Sequence, residues 1–214
     1  MNKEIIITPE ELYYLGSVMQ AKYIDYVYVS NIAMLEDNIK KVKADARRTL
    51  SEKKYIEEDF SGDVMVAYDV ESVLKPVFFG EKESSVTDIN KRDELASFTN
   101  YHFLDGAITA VTEVDEKLEV FSVTAEEIEN KLDKLIPSSY EDSVKGEIEI
   151  NSDDVSRVIS IKHFHVGTSS GVFVYIANKD GVFCTENAEE AFVSVGRNEM
   201  ISHFKSVVLE GRIK

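Results

Sequence analysis

Apolar residues recur at helical spacing through the first 80 residues of the chain. Thr8-Pro9-Glu10-Glu11 forms a capping box with proline at the first helical position, and it predicts a helix over residues 9–21. A long amphipathic helix is predicted next, because Asn31 can cap it. Its apolar positions are Leu35, Ile39, Val42, Ala46 and Leu50.

Residues 54–63 predict a short extended piece and a turn, before another helical pattern. The apolar positions of that pattern are Val66, Val70, Val73, Leu74 and Phe78. Helix, short strand and helix are typical of a winged-helix-like unit, here at about residues 1–80.

From about residue 84 the period of the apolar positions becomes that of strands. Residues 98–103, 107–114 and 118–123 predict an antiparallel meander, with turns at Asp105-Gly106 and Asp115-Glu116. Thr124-Ala125-Glu126-Glu127 is a second capping box, and it opens a helix that Pro137 ends.

The same order of elements then recurs. Strands are predicted at residues 157–166, 172–177, 181–184 and 192–195, with a hairpin turn at Asp180-Gly181, and a helix follows at 198–209. Meander followed by helix therefore occurs in two lobes, at about residues 84–136 and 155–210. Because no flexible linker separates them, the sequence predicts a single α+β domain over residues 1–214, built from antiparallel meander sheets and helices.

The charge of the chain limits its partners. Forty acidic residues against 24 basic ones give a formal net charge of −16, which repels nucleic acid and anionic lipid.

The longest apolar runs of the chain fall far short of the roughly 20 residues that a membrane-spanning helix needs, so we expect no membrane insertion. The N-terminus lacks the apolar core of a signal peptide, and the single cysteine, Cys184, excludes an intramolecular disulfide. These features predict a cytoplasmic protein.

Two histidines offer the best candidate for a metal site. His163 and His165 lie on the same face of a predicted strand, because side chains alternate along a strand, and they could supply two zinc ligands. A third ligand is missing from the pattern, since His102 and His203 lie on other predicted elements and neither HExxH nor CxxC occurs. We therefore expect ordinary strand histidines and no metal.

Other catalytic patterns are weak. Cys184 has no signature of a nearby base, so we interpret it as a structural thiol. Neither GxGxxG nor GxxxxGK[ST] occurs, so no phosphate-binding loop and no cofactor are expected. Paired acidic residues at predicted helix starts and elsewhere are interpreted as solvated charge. These pairs are Glu10-Glu11, Glu57-Glu58, Glu126-Glu127 and Asp153-Asp154. We expect a protein that is not an enzyme.

One basic run opposes the overall charge. Its members lie on and just after the long helix: Lys40, Lys41, Lys43, Arg47, Arg48, Lys53 and Lys54. In a winged-helix-like unit such a run could contact phosphates, which would suit a DNA-binding regulator. The alternative is a mixed-charge solvent face paired with Glu36, Asp37 and Asp45, and we favour it because DNA-binding domains of this kind normally carry a net positive charge.

Three features together resemble a known family. They are the opening helix Thr8-Pro9-Glu10-Glu11-Leu12-Tyr13-Tyr14-Leu15-Gly16, the segment Leu50-Ser51-Glu52-Lys53-Lys54-Tyr55-Ile56, and the duplicated meander and helix. The chain resembles the EspG-like proteins of type VII secretion loci, including their counterparts in Firmicutes. The resemblance implies a pseudo-two-fold α+β fold and a cytosolic chaperone that binds helical-hairpin substrates of the WXG100 or LXG kind before export. It assigns no contact residue.

Alternatives to a secretion chaperone remain open at this point. An immunity protein that neutralises a toxin of the same locus would also be small, acidic and cytosolic, and the winged-helix regulator rests on the basic run alone. An apolar patch could receive the partner, with strand residues Phe164, Val166, Phe173 and Tyr175 as candidates. Alternating aromatic residues in a meander are, however, more typical of a core.

Overall fold

The computed structural model of the chain describes residues 4–30, 32, 38–91, 95–136, 147–148, 151–165, 168–178, 181–185 and 192–210. The chain forms two compact units. The first comprises Met1–Glu81 and His102–Val123, and the second comprises Lys82–Tyr101 and Thr124–Lys214. The predicted lobes and the single-domain organisation stay predictions. In the described part of the chain, no helix has the length and apolar content to cross a bilayer.

The first unit begins with strand β1 (Glu4–Ile7) and helices α1 (Pro9–Val18), α2 (Tyr26–Val29) and α3 (Ile39–Glu52). A hairpin of β2 (Ile56–Glu58) and β3 (Val64–Val66) then leads into α4 (Tyr68–Phe79). The capping box at Thr8 forms as predicted, although α1 ends at Val18 rather than residue 21. Asn31 and Leu35 lie outside the described residues. Val66 belongs to β3, so the predicted single strand before α4 is a two-stranded hairpin.

Strands β6 (Ala107–Val114) and β7 (Lys117–Val123) complete the first unit. The order is β1-β7-β6, with antiparallel pairing. The sequence did not predict β1, whose Ile5 and Ile7 are buried while Ile6 between them is exposed. The turn before β6 is confirmed by the positive φ angles of Asp105 and Gly106, 48° and 82°.

One face of this sheet contributes to an apolar core, since Ile5, Ile7, Val111, Leu118 and Val120 are register partners on the same side. The core joins β1, β2, β6, β7 and α1 to α4 through Ile5, Ile7, Leu12, Leu15, Tyr28, Leu50, Ile56, Val70, Val73, Leu74, Val77, Phe78, Val111, Leu118 and Val120. Gly80, which ends α4, marks a close approach of backbone. A Cβ there would lie 2.4 Å from the carbonyl oxygen of Pro76 and 2.6 Å from that of Phe103.

The second unit contains β4 (Lys82–Asn90) and the first residues of β5 (Leu95–Leu104), which continues into the first unit. The remaining elements are α5 (Ala125–Leu135), β8 (Glu147–Ile148), β9 (Val155–His165), β10 (Thr168–Asn178), β11 (Gly181–Thr185), β12 (Phe192–Ser194) and α6 (Arg197–Lys205), which continues as a π-helix over Ser206–Glu210. The strand order is β5-β4-β9-β10-β11-β12-β8. The capping box at Thr124 is confirmed. Pro137 and Asp180 lie outside the described residues.

Helices α5 and α6 pack against each other, and the π-helical segment packs on β4 and β9. The buried apolar residues of the second unit are Val86, Ile128, Leu132, Ile136, Ile159, Ile161, Phe173, Tyr175, Ala177, Met200, Ile201, Phe204, Val207 and Val208. The predicted antiparallel meander of β9 to β12 is confirmed by its strand pairings. The α+β class predicted from the sequence is therefore confirmed.

Candidate functional site

The histidines considered as zinc ligands lie in separate environments. His163 is buried in β9, and its Nδ1 lies 2.9 Å from Oγ of Ser84. His165 is exposed at the end of the same strand. The remaining candidates, His102 and His203, contact tyrosines in different units. Within the residues that the structure describes, no group of three or more His, Cys, Asp or Glu side chains could hold a metal ion.

Two buried histidines are instead parts of the polar interior. Burial lowers the pKa of His102 to about 3. It also lowers the pKa of His163, with a smaller contribution from Lys82 nearby. Both imidazoles are therefore neutral at pH 7 and serve as hydrogen-bonding groups.

Cys184 lies in β11, where its register partners are Tyr175 of β10 and Val193 of β12. Its side chain is outside the described part of the chain, so its interpretation as a structural thiol stays a prediction.

Among the described residues, those considered as an apolar patch on β9 and β10 do not form an exposed surface. Phe173 and Tyr175 are buried, with exposures of 2% and 1%. The Tyr175 ring packs edge-on against Phe204, with ring centroids 4.4 Å apart. Phe164 is half-buried, and Val166 is outside the described residues. These aromatic residues belong to the core of the second unit, as the alternative interpretation held.

Three members of the basic run, Lys43, Arg47 and Arg48, line a cavity of about 550 Å³ within the first unit. The wall residues come from α1, α3 and the hairpin: Tyr14, Lys43, Ala44, Arg47, Arg48, Ser51, Glu52, Ile56, Glu57, Glu58 and Val64. Arg47 forms a salt bridge of 2.7 Å with Glu58 across this cavity, and Arg48 lies 3.5 Å from Glu52. Because acids accompany the bases, the cavity presents mixed charge rather than a cationic surface.

A buried carboxylate connects helices α1 and α3. Glu11 is only 3% exposed and accepts hydrogen bonds from three groups. They are the Thr8 backbone N–H at 2.9 Å, the Thr49 hydroxyl at 2.7 Å and the Lys53 ammonium at 2.6 Å. These bonds tie the start of α1 to the end of α3. Lys53, a member of the basic run, is therefore paired with a buried carboxylate.

The hairpin of β2 and β3 presents the most exposed aromatic residue of the first unit. Phe60 lies at its tip and is fully exposed, with a relative exposure of 114%. Met65 on β3 is 54% exposed, and Tyr68 at the start of α4 is 83% exposed. Sequence reasoning missed these residues. The available signal was a phenylalanine inside a turn otherwise made of Asp, Ser and Gly, where a polar residue is usual.

Comparison with known proteins identifies a shared fold. No protein-family model and no curated protein matches the sequence. The chain is similar to the Mycobacterium tuberculosis type VII secretion system chaperone EspG5, solved in complex with the PE25–PPE41 dimer. The likeness covers 97% of this chain and 96% of that chain, with a TM-score of 0.60 and 9% sequence identity. It confirms the EspG-like fold expected from the sequence, while at this identity it shows the fold alone.

Proposed function

We propose that the chain is a cytosolic, non-enzymatic chaperone or adaptor of a type VII secretion system. It binds helical-hairpin substrates of the WXG100 or LXG kind before their export. The observation that carries the proposal is the fold shared with EspG5 along 97% of the chain. Because one fold can host many functions, the surface must supply further support.

The surface properties fit a protein that keeps an apolar partner in solution. A net charge of −16 favours solubility and opposes self-association. At the same time, exposed apolar side chains such as Phe60 and Met65 remain available on a stable scaffold. A carrier that covers the apolar end of a helical substrate needs both a charged, soluble surface and apolar contact residues.

The proposal is tested by co-expression of the tagged chain with each helical secretion substrate encoded beside it. We expect one or more substrates to co-elute with the chain in gel filtration, at a volume that neither protein shows alone. Failure to co-elute with every such substrate would contradict the proposal. If the chain instead protected cells from a toxin of the locus without binding a secretion substrate, it would be an immunity protein.

A further inference from the structure

We propose that residues 57–65, here called the acidic hairpin, form a contact surface that inserts Phe60 into an apolar pocket with a basic rim on the helical substrate. This inference rests on the proposed function and adds the surface and the chemistry of its complement. It follows from the exposure, the rigidity and the charge of the hairpin.

The exposure of Phe60 has no benefit for folding. Burial of a phenylalanine side chain stabilises a fold, and none of that stabilisation is gained within the chain because the side chain is fully exposed. A single exposed apolar residue is common, but an aromatic ring at the tip of a projecting turn is a typical interface anchor. Met65, also exposed, adds apolar area on the same hairpin.

The turn that carries Phe60 is held in one shape. Oδ1 of Asp59 accepts hydrogen bonds from the Ser61 backbone at 2.9 Å, the Ser61 hydroxyl at 2.7 Å and the Asp63 backbone at 2.9 Å. The backbone N–H of Asp59 donates to the carbonyl of Asp63, and that of Gly62 donates to the carbonyl of Asp59, both at 3.0 Å. Hydrogen bonds from Ser61 also lower the pKa of Asp59. A preformed turn reduces the entropy lost on binding.

The base of the hairpin is fixed to the first unit. Ile56 is buried at 5% exposure, and Val64 and Val66 pack against the core. The salt bridge between Glu58 and Arg47 ties β2 to α3. The inner face of the hairpin is therefore occupied, while the tip and the outer face are available.

The charge of the hairpin defines its complement. Glu57, Glu58, Asp59 and Asp63 are exposed, and no basic residue occurs between positions 57 and 65. Glu58 forms a salt bridge with Arg47. Glu57, Asp59 and Asp63 carry the remaining negative charge around Phe60. Electrostatic complementarity therefore favours a pocket bordered by lysine or arginine. A second copy of this chain is a poor occupant, because both copies would carry a charge of −16.

The inference is tested with a purified helical-hairpin substrate that co-elutes with the wild-type chain. Phe60→Ser is expected to weaken its binding at least about tenfold, as truncation of an interface anchor does. Glu57→Lys is expected to weaken it several-fold and to reduce its dependence on salt. Asp59→Ala is expected to weaken binding by releasing the turn, whereas Asp59→Asn keeps the acceptor oxygen and much of the affinity.

Tyr26→Ser is the matched control, because Tyr26 is an exposed aromatic residue on α2, outside the hairpin, with 68% exposure. The affinity of Tyr26→Ser should equal that of the wild type. Tyr26→Ser, Phe60→Ser and Glu57→Lys should unfold at the wild-type temperature. Equal affinity of Phe60→Ser and wild type would overturn this inference and leave the proposed function standing. If the wild type binds no substrate, both are overturned. A dimer of the chain that Phe60→Ser disrupts without a change in substrate affinity would also overturn the inference.

Discussion

The hydroxyl group of Tyr28 lies 2.9 Å from Nε2 of His102, and both side chains are buried in the first unit. The two residues are 74 positions apart in the sequence, so this bond joins α2 to β5. A buried polar group that loses its partner retains its desolvation penalty. The pair is thus a long-range constraint on the fold.

Replacement of Tyr28 by phenylalanine removes only this hydroxyl. We expect Tyr28→Phe to lower the free energy of unfolding by about 1–2 kcal/mol, because His102 loses a hydrogen bond in a buried site. Urea unfolding measures the change. The control is Tyr26→Phe, whose hydroxyl is on an exposed side chain and whose removal should change stability by less than about 0.5 kcal/mol. Equal losses in the two variants would show that the buried bond is unimportant.

The lowered pKa of His102 makes stability depend on pH. Its pKa is about 3 in the folded chain, against the ordinary value of 6.5 in the unfolded chain. Between these pH values the unfolded state binds more protons than the folded state. The contribution of neutral His102 to the free energy of unfolding is therefore complete above pH 6.5 and is lost as the pH falls toward 3. The slope for one histidine is at most about 1.4 kcal/mol per pH unit. His163, whose pKa is also lowered, acts in the same direction.

The pH effect is separated from the other titrating groups by a variant. We expect the free energy of unfolding of His102→Gln to fall less steeply than that of the wild type between pH 6.5 and pH 5. Identical slopes in wild type and His102→Gln would refute a neutral, buried His102.

The buried carboxylate of Glu11 is expected to be the most sensitive single position of the first unit's polar interior. Glu11→Ala leaves Lys53, Thr49 and the Thr8 backbone without their shared acceptor. We expect a loss of about 2–3 kcal/mol in the free energy of unfolding, because three hydrogen bonds to a charged acceptor are lost while Lys53 keeps partial access to solvent. Glu10→Ala, one residue earlier in the same helical turn, should cost less than about 1 kcal/mol. A similar cost at both positions would contradict this account.

The basic run of α3 should not act as a nucleic-acid surface. Arg47 and Arg48 are accompanied by Glu58 and Glu52, and Lys53 by Glu11. We expect the chain to pass unretained through a duplex-DNA column at about 0.15 M salt, since phosphate binding requires cations that are not already paired. Retention that decreases with added salt would favour the winged-helix regulator instead.

Local signals in the sequence were sufficient for elements with their own start and stop residues. The capping boxes at Thr8 and Thr124 begin α1 and α5 as predicted, because their hydrogen bonds lie within four residues. The turn at Asp105-Gly106 is equally local. Strand β1 could not be predicted, because its three isoleucines become a strand only by pairing with β7, more than 100 residues later.

The burial and exposure of the candidate site residues depend on packing contacts that the sequence pattern does not show. The burial of Phe173 and Tyr175 results from packing against α6, so their alternation along β10 could not decide between a patch and a core. The hydrogen bonds between Asp59 and Asp63 are local, but the exposure of Phe60 also depends on which face of the hairpin packs on the core. That face carries Ile56, Val64 and Val66. Such tertiary contacts override local pattern.

Calorimetric titration measures whether the chain binds a helical secretion substrate, as we propose. The purified chain is titrated with purified WXG100 or LXG-domain proteins encoded in the same locus. We expect saturable binding of at least one of them at micromolar or lower concentration. Heat of dilution alone for every one of these proteins would contradict the claim.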